Sequence, residues 1–305
     1  MSERPEIGKV QTFSLIAGSR ACDGRCPFCI SKMTPDQGMN TKVDNINWNR
    51  FKRAYQYATD GKAETAMITG KGEPVLFPDH ISGYLNGLLE TGEKLGYKIL
   101  VKELQTNGIA IADGKVDNLL HLWRAGGLQT IAVSIVHFDP EENRKIYLPY
   151  RDKYINLPGL IDKLHSADYT VRLACVLFKG GIDSAEKVKK LVEFAKDNQV
   201  EQLTIRPVNK PGESQDGDVA KWVEEHSLEQ GQLQEIDTYL RENGVVVKEF
   251  PFGGTVYSIH SVGSQNVCFT SCLTKDEPKK YLRQLIYYPN GRIALDWTEK
   301  GDGLK

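Results

Sequence analysis

The sequence lacks the features that define several broad classes of protein. It contains no run of the roughly 18 apolar residues that a membrane-spanning helix needs. Lysine and arginine number 39, aspartate and glutamate number 40, and the net charge of −1 gives no overall attraction to nucleic acid or to an anionic membrane. Six cysteines in 305 residues are too few for a disulfide scaffold. We therefore expect a globular protein with neither a membrane nor a nucleic acid as its partner.

The first residues of the chain and its small number of cysteines indicate its cellular compartment. The first residues are polar and include no apolar segment typical of a secretion signal. Together with the few cysteines, this favours a reducing cytoplasm. A chain of this length suits one large α/β domain, alone or with a small appendage.

Apolar periodicity predicts alternating strands and helices. Six segments rich in apolar and β-branched residues indicate strands, at 10–16, 65–69, 97–105, 130–136, 170–178 and 202–208. Between these strands lie segments whose apolar residues have helical spacing, around 49–59, 81–95, 116–125, 157–166 and 183–197. Such alternation implies parallel βαβ units and a sheet that is buried on both faces.

The composition changes after the sixth strand. A polar break at 211–218 precedes a helix predicted over 219–243 and a strand at 245–247. From residue 251 glycine, serine and aromatic residues become frequent, and Asn290-Gly291 predicts the turn of a β-hairpin. We therefore expect a core over residues 8–250 and a C-terminal extension over residues 251–305.

Three of the cysteines, Cys22, Cys26 and Cys29, share one short loop after the first strand. Three thiolates so placed can hold three irons of a cubane cluster and leave the fourth iron open to another ligand. The alternative is a zinc or redox module, but structural zinc usually takes four ligands, and no Cys or His follows Cys29 before His80. A redox CxxC at Cys26 and Cys29 leaves Cys22 unexplained.

The CxxxCxxC spacing, with Phe28 before the last cysteine, resembles the radical S-adenosylmethionine (SAM) superfamily. The resemblance implies a partial (β/α)6 barrel with a small hairpin-containing C-terminal extension. It also implies a 4Fe–4S cluster on Cys22, Cys26 and Cys29, and SAM bound to the open iron. Reductive cleavage of SAM would then yield a 5′-deoxyadenosyl radical, with an electron from a flavodoxin- or ferredoxin-type partner. The branch most similar in character contains the molybdenum-cofactor GTP cyclase and the peptide-maturing enzymes.

The motif Gly70-Lys71-Gly72-Glu73-Pro74 resembles the GGEP motif of that superfamily, which holds the amino group of SAM. Lys71 departs from the motif, and Ala174 stands where the superfamily often has Asn. In barrels of this type chemistry gathers where the strands end. The resemblance extends the predicted SAM contacts to Phe28, Gly72, Glu73, Pro74, Thr106, Asn107, Ser134, Arg172 and Arg206.

Cys268 and Cys272 resemble a reduced form of the C-terminal modules that bind a second cluster. Two free thiols, or a redox pair near the substrate, are the alternative. No side chain is identified as catalytic. We expect a small-metabolite or nucleotide-like substrate, with a peptide as the alternative. A non-catalytic iron–sulfur or zinc redox module remains a further hypothesis.

Overall fold

The structure, a computed structural model, describes residues 8–39, 42–261, 263–270 and 281–298. Strands and helices alternate through most of these ranges. The strands are β1 (Lys9–Ile16), β2 (Thr65–Thr69), β3 (Val101–Thr106), β4 (Thr130–Ile135), β5 (Thr170–Leu177), β6 (Gln202–Pro207), β7 (Gly244–Glu249), β8 (Thr255–Ile259), β9 (Gln265–Phe269), β10 (Tyr281–Tyr287) and β11 (Ile293–Ala294). The helices are α1 (Ile30–Met33), α2 (Trp48–Asp60), α3 (Pro78–Leu95), α4 (Ile109–Ala112), α5 (Asp117–Ala125), α6 (Pro140–Tyr147), α7 (Leu157–Ser166), α8 (Ala185–Asp197), α9 (Gly217–His226) and α10 (Gln230–Asn243).

One sheet joins the described residues, with eleven strands in the order β11-β10-β1-β2-β3-β4-β5-β6-β9-β8-β7. β1 to β6 pair in parallel succession, which confirms the predicted α/β fold with six parallel units. β10 extends the β1 edge and β9 extends the β6 edge, both in parallel register. β11, β8 and β7 pair antiparallel to their neighbours. The C-terminal strands thus continue the sheet of the core, and the division at residue 250 stays a prediction.

Local sequence explains several helix starts. The side chains of Asn47, Asn156, Ser184 and Asp216 accept hydrogen bonds from N–H groups of the first turns of α2, α7, α8 and α9. The apolar faces of α2 and α7 contact β1 and β5, so these helices cover the sheet. Among the described residues, no helix combines the length and the apolar character that crossing a membrane requires.

The helix predicted over 219–243 is wrong in one respect, since the structure has two helices there, α9 and α10. Ser227 takes an extended conformation, with φ −65° and ψ 141°, which ends α9. Glu229 then starts α10 through a reciprocal capping box with Gln232. Apolar spacing alone does not reveal this break.

Two other strand predictions differ from the structure. β3 begins at Val101 rather than at residue 97, because the Tyr97 N–H donates to Gly92 O and so belongs to the end of α3. β8 and β9 were not predicted, since the Gly- and Ser-rich composition of their region indicates loops. The predicted hairpin near Asn290-Gly291 is present as β10 and β11.

Candidate functional site

A cavity of about 570 Å³ lies beside the loops that follow β1, β2 and β3. All eight parallel strands contribute residues to its lining, so the whole barrel surrounds it. The cavity brings together every residue that the sequence predicts for the site, namely Cys22, Cys26, Phe28, Cys29, Gly72, Glu73, Pro74, Thr106, Asn107, Ser134, Arg172 and Arg206. Their roles stay predictions, but their convergence is a finding of the structure.

The cysteine loop is anchored to two neighbouring loops. The Glu73 N–H donates to Ala21 O over 2.9 Å, which ties it to the loop after β2. The Asn107 side chain donates to Asp23 Oδ1 over 2.7 Å, which ties it to the loop after β3. Since both anchors flank Cys22, the position of the first thiol is fixed by the motifs that follow β2 and β3.

The three thiols lie close enough to influence one another, and none forms a disulfide. Although Cys22 is exposed overall, burial of its sulfur raises its pKa to about 12. Burial also raises the pKa of Cys26, with a further contribution from Cys29 and Cys22. Cys22 and Cys26 are therefore protonated at neutral pH unless a metal supplies the charge that stabilises thiolates.

Three thiols on one loop are a donor set that a cubane cluster can use. In the ranges that the structure describes, no three His, Cys, Asp or Glu residues converge on one ion position. The three cysteine ligands of a cubane bind three different irons, so they need not converge. Cys22, Cys26 and Cys29 would hold such a cluster on the wall of a cavity with room for a further ligand.

Glu73 joins the loops after β2 and β3. Its Oε1 accepts hydrogen bonds from Thr106 Oγ1 (2.6 Å) and the Val75 N–H (3.0 Å), and its Oε2 accepts from the Asn107 N–H (2.8 Å). Burial raises the pKa of Glu73 to about 7 in spite of these donors. A cation that reached this carboxylate would favour its charged form.

Gly72 permits a close approach of backbones. A Cβ at this position would lie 2.0 Å from Ala21 O, where no side-chain atom fits. Glycine is therefore required for the Gly72-Glu73 segment to contact the cysteine loop. This gives a physical reason for the second glycine of the motif.

Lys71, the departure from the motif, is a buried cation. Its side chain is 3% exposed, and its Nζ donates to Thr34 Oγ1 over 2.5 Å and lies 5.5 Å from the centre of the Trp297 ring. Burial lowers the pKa of Lys71 to about 8, although the neighbouring Cys29 opposes this shift. At neutral pH the ammonium is therefore mostly charged and adjacent to the cysteine loop.

Phe28 lies on an aromatic wall of the cavity. Its ring centre is 5.7 Å from that of Trp222, 6.2 Å from that of Phe178 and 6.3 Å from that of Tyr147. Three separate segments therefore hold the ring that precedes Cys29. The sequence did not indicate Trp222, because its contact depends on how α9 docks on the loop.

Strand register places four cavity residues in one row. Ser134 pairs with Ala174, Ala174 with Thr204, and Thr204 with Cys268. This row crosses β4, β5, β6 and β9. The hydroxyl of Thr204 therefore lies next to position 174, where the superfamily often has Asn and this chain has Ala174. Cys268 faces the cavity at the end of this row. Cys272, the other predicted ligand of a second cluster, lies outside the described residues.

The two predicted arginines differ in their surroundings. Arg172 is paired with the buried Glu103, and burial lowers the pKa of Arg172 to about 10. Arg206 has a buried Nε with no hydrogen-bond partner in the described part of the chain. A buried, unpaired donor is costly, so Arg206 is the arginine whose geometry calls for a ligand atom.

Comparison with solved structures places this fold among known proteins. SuiB of Streptococcus suis bound to S-adenosylmethionine is 17% identical, with a TM-score of 0.58 over 95% of this chain and 60% of that chain. SuiB bound to the precursor peptide SuiA is 17% identical, with a TM-score of 0.53 over 99% and 62% of the respective chains. Histidine-tagged anSMEcpe with bound AdoMet is 15% identical, with a TM-score of 0.53 over 77% and 59%.

The shared feature is the fold. The chain is a partial (β/α)6 barrel. It spans about three fifths of the length of these solved structures, 60% in the case of SAM-bound SuiB. Comparisons with models of known protein families and with curated proteins gave no match.

Proposed function

We propose that this protein is a radical SAM enzyme. The observation that carries the proposal is the convergence of Cys22, Cys26 and Cys29 with the Gly72-Glu73-Pro74 motif on one cavity. The shared fold with SAM-bound SuiB and AdoMet-bound anSMEcpe supports it. A cluster held there would supply the electron that cleaves SAM to methionine and a 5′-deoxyadenosyl radical, which removes a hydrogen atom from the substrate.

The chain's own residues would bind and orient SAM. Glu73 would accept the ammonium of SAM, Arg206 its carboxylate, and Ser134 with Thr204 would contact the ribose or methionine part. Arg172 is already neutralised by Glu103, which favours Arg206 for the carboxylate. Phe28, Pro74, Thr106 and Asn107 would shape the rest of the pocket. A flavodoxin- or ferredoxin-type protein of a reducing cytoplasm would deliver the electron.

We favour a small substrate, because SAM and the substrate would share a cavity of about 570 Å³. Ligand sites of roughly 300–1,000 Å³ commonly hold one drug-sized molecule. A peptide is the second candidate, since the SuiB structure with its precursor peptide shares this fold. A peptide would insert one side chain into the cavity rather than fill it.

The test uses anaerobically reconstituted protein. We expect roughly four irons and as many sulfides per chain, and 5′-deoxyadenosine after addition of SAM and dithionite. The triple variant of Cys22, Cys26 and Cys29 to Ala should lose both, while the matched variant Cys268→Ala should keep both. Zinc in place of iron, or a cluster that never cleaves SAM, would overturn the proposal. An iron count near eight that falls in Cys268→Ala would instead establish a second cluster.

A further inference from the structure

The last residue of α6 and the residues after it contact the middle of the cysteine loop. The Arg25 N–H donates to Tyr147 O over 2.9 Å, and the Tyr150 hydroxyl donates to Asp23 O. The Arg25 guanidinium carbon also lies 4.9 Å from the centre of the Tyr150 ring. These three contacts fix the segment 147–154 against the cysteine loop.

Two tyrosines of this segment, Tyr147 and Tyr154, carry buried hydroxyls that lack a partner. Their ring centres lie 6.4 Å apart, with 23° between the ring planes. Tyr147 is 3% exposed and lines the cavity, and its hydroxyl makes no hydrogen bond within the described residues. The hydroxyl oxygen of Tyr154 is also buried and has no hydrogen-bond partner in that part of the chain.

Packing alone does not explain these hydroxyls. A buried hydroxyl without a partner is costly, and phenylalanine would occupy nearly the same space without that cost. Both tyrosines therefore call for an acceptor that binds beside them.

Cys26 is the ionisable group that influences both tyrosines. Burial raises the pKa of Tyr147 and that of Tyr154, and Cys26 adds to the shift in each case. Arg206 opposes the shift, but only at Tyr147. The two hydroxyls therefore keep their protons at neutral pH, and each can donate a hydrogen bond near this thiol.

The other two thiols of the loop already have polar neighbours. The sulfur of Cys22 accepts a hydrogen bond from a backbone N–H over 3.3 Å, and Lys71 favours the thiolate of Cys29. Within the described chain, only its own N–H and the charge of Lys32 favour the thiolate of Cys26. Cys26 is thus the thiol that lacks a donor from another residue, and it lies beside two donors that lack an acceptor.

We propose that Tyr147 and Tyr154 form a donor pair whose hydroxyls hydrogen-bond to the Cys26 sulfur and the adjoining sulfides of the proposed cluster. Hydrogen bonds to these sulfurs favour the reduced cluster, because reduction adds negative charge to them. The inference rests on the proposed function, since it assigns two positioning residues to the same cluster. The donor pair acts through the cluster and takes no part in bond cleavage.

A redox titration of the reconstituted protein without SAM, followed by electron paramagnetic resonance, tests the donor pair. Tyr154 is the first target because, unlike Tyr147, it does not line the cavity and so does not meet SAM or substrate. At a fixed applied potential, the ratio of reduced to oxidised cluster should fall by about threefold or more in Tyr154→Phe. The double variant with Tyr147→Phe should show a larger fall. An unchanged ratio in both would overturn the proposal.

The metal-free protein gives a readout of the opposite sign. There the Tyr154 hydroxyl has no acceptor, so Tyr154→Phe should unfold at the same urea concentration as the unmutated chain or at a higher one. A lower urea midpoint would mean that the hydroxyl already has a partner in the protein itself, and would overturn the proposal.

Tyr169→Phe is the matched control. Tyr169 immediately precedes β5, whereas the cysteine loop lies where the parallel strands end, and its hydroxyl donates to Leu120 O over 2.5 Å. This variant should lower the urea midpoint of the metal-free protein and leave the ratio of reduced to oxidised cluster unchanged. An equal fall of the ratio in Tyr169→Phe would overturn the assignment to the donor pair.

A spectroscopic signature tests the hydrogen bonds directly. Electron–nuclear double resonance of the reduced cluster in H2O and in D2O detects exchangeable protons that are coupled to it. The double variant of Tyr147 and Tyr154 to Phe should lose part of this signal, and Tyr169→Phe should keep all of it. Identical signals in the unmutated chain and the double variant would overturn the proposal.

These readouts separate the inference from the proposed function, because none requires cleavage of SAM. A falling ratio in protein that forms no deoxyadenosine would support the donor pair and remove the radical mechanism. Deoxyadenosine formation with an unchanged ratio would do the reverse. Zinc in place of iron would overturn both.

Discussion

Lys71 is the residue at which the chain departs most clearly from the motif that it resembles. A buried ammonium is costly, and its contacts with Thr34 and Trp297 offset only part of that cost. Lys71 lies beside Cys29, and the two groups interact electrostatically. A positive charge near a cluster stabilises the reduced form, because reduction adds a negative charge.

We therefore expect Lys71→Met to lower the reduction potential of the proposed cluster by on the order of 50 mV, which corresponds to about 1 kcal/mol for one electron. A redox titration followed by electron paramagnetic resonance would measure it. Lys71→Arg keeps the charge and is the matched control. An unchanged potential in Lys71→Met, with iron content retained, would contradict this role.

Glu73 gives the protein a pH dependence of known sign. Its pKa is raised by burial from 4.5 to about 7, so between these values the folded state holds a proton that the unfolded state has released. The stability contributed by this group is present at low pH and is lost as the pH rises through that window. Above about pH 7 the contribution of Glu73 to stability no longer changes with pH.

The metal-free protein should lose about 2 kcal/mol of unfolding free energy through Glu73 between pH 5 and pH 8. Glu73→Gln has no proton to lose, so its free energy of unfolding lacks this pH dependence. Relative to the unmutated chain, the variant should therefore gain about 2 kcal/mol of unfolding free energy between pH 5 and pH 8. Urea unfolding at both pH values would measure it. A difference that stays constant with pH would show that the pKa of Glu73 is not raised.

At the scale of elements, the loops after β1 and β2 are built as one unit. The Glu73 N–H bonds to Ala21 O, and Gly72 lacks the Cβ that would collide with the same oxygen. Any side chain at position 72 must therefore push the cysteine loop away from β2. Since Cys22 follows Ala21 directly, the first thiol would move with it.

Gly72→Ala should destabilise the protein by on the order of 2 kcal/mol and reduce the iron content after reconstitution. The matched control is Gly231→Ala in α10, where an added Cβ has nothing within 4 Å. That variant should gain up to about 1 kcal/mol and keep its iron. Full iron content in Gly72→Ala would show that the loop tolerates the displacement.

At the scale of the whole molecule, periodicity predicted the six parallel strands because each is a continuous apolar segment between helices. The cysteine spacing and the motif at 70–74 indicated the residues that meet at the cavity. The contacts of Trp222, Thr204 and Tyr147 were not predictable, because they depend on strand register and helix docking. β8 and β9 escaped prediction for a similar reason, since their pairing partners are distant in sequence.

The C-terminal strands also pack against helices and strands of the predicted core. Tyr287 is fully buried, and its ring centre is 5.5 Å from that of Phe51 on α2. Its hydroxyl donates to Asn47 O over 2.6 Å, and Arg50 Nε donates to Gly291 O over 3.2 Å. The hairpin of β10 and β11 therefore covers the start of α2, which lies beside β1.

A chain that ends at residue 250 should therefore not fold stably. It would expose the edges of β1 and β6 and would lose the buried residues Tyr257, Ile259, Val267, Leu285, Tyr287 and Ile293. Burying each large apolar side chain contributes about 1.5–3 kcal/mol, and the total free energy of unfolding of a protein is commonly about 5–15 kcal/mol. Circular dichroism of the shortened chain should show no cooperative transition, and limited proteolysis of the full chain should yield no lasting fragment that ends near residue 250. A shortened chain that unfolds cooperatively would instead establish residues 8–250 as an independent domain, because only a self-sufficient core could survive the loss of both flanking strands.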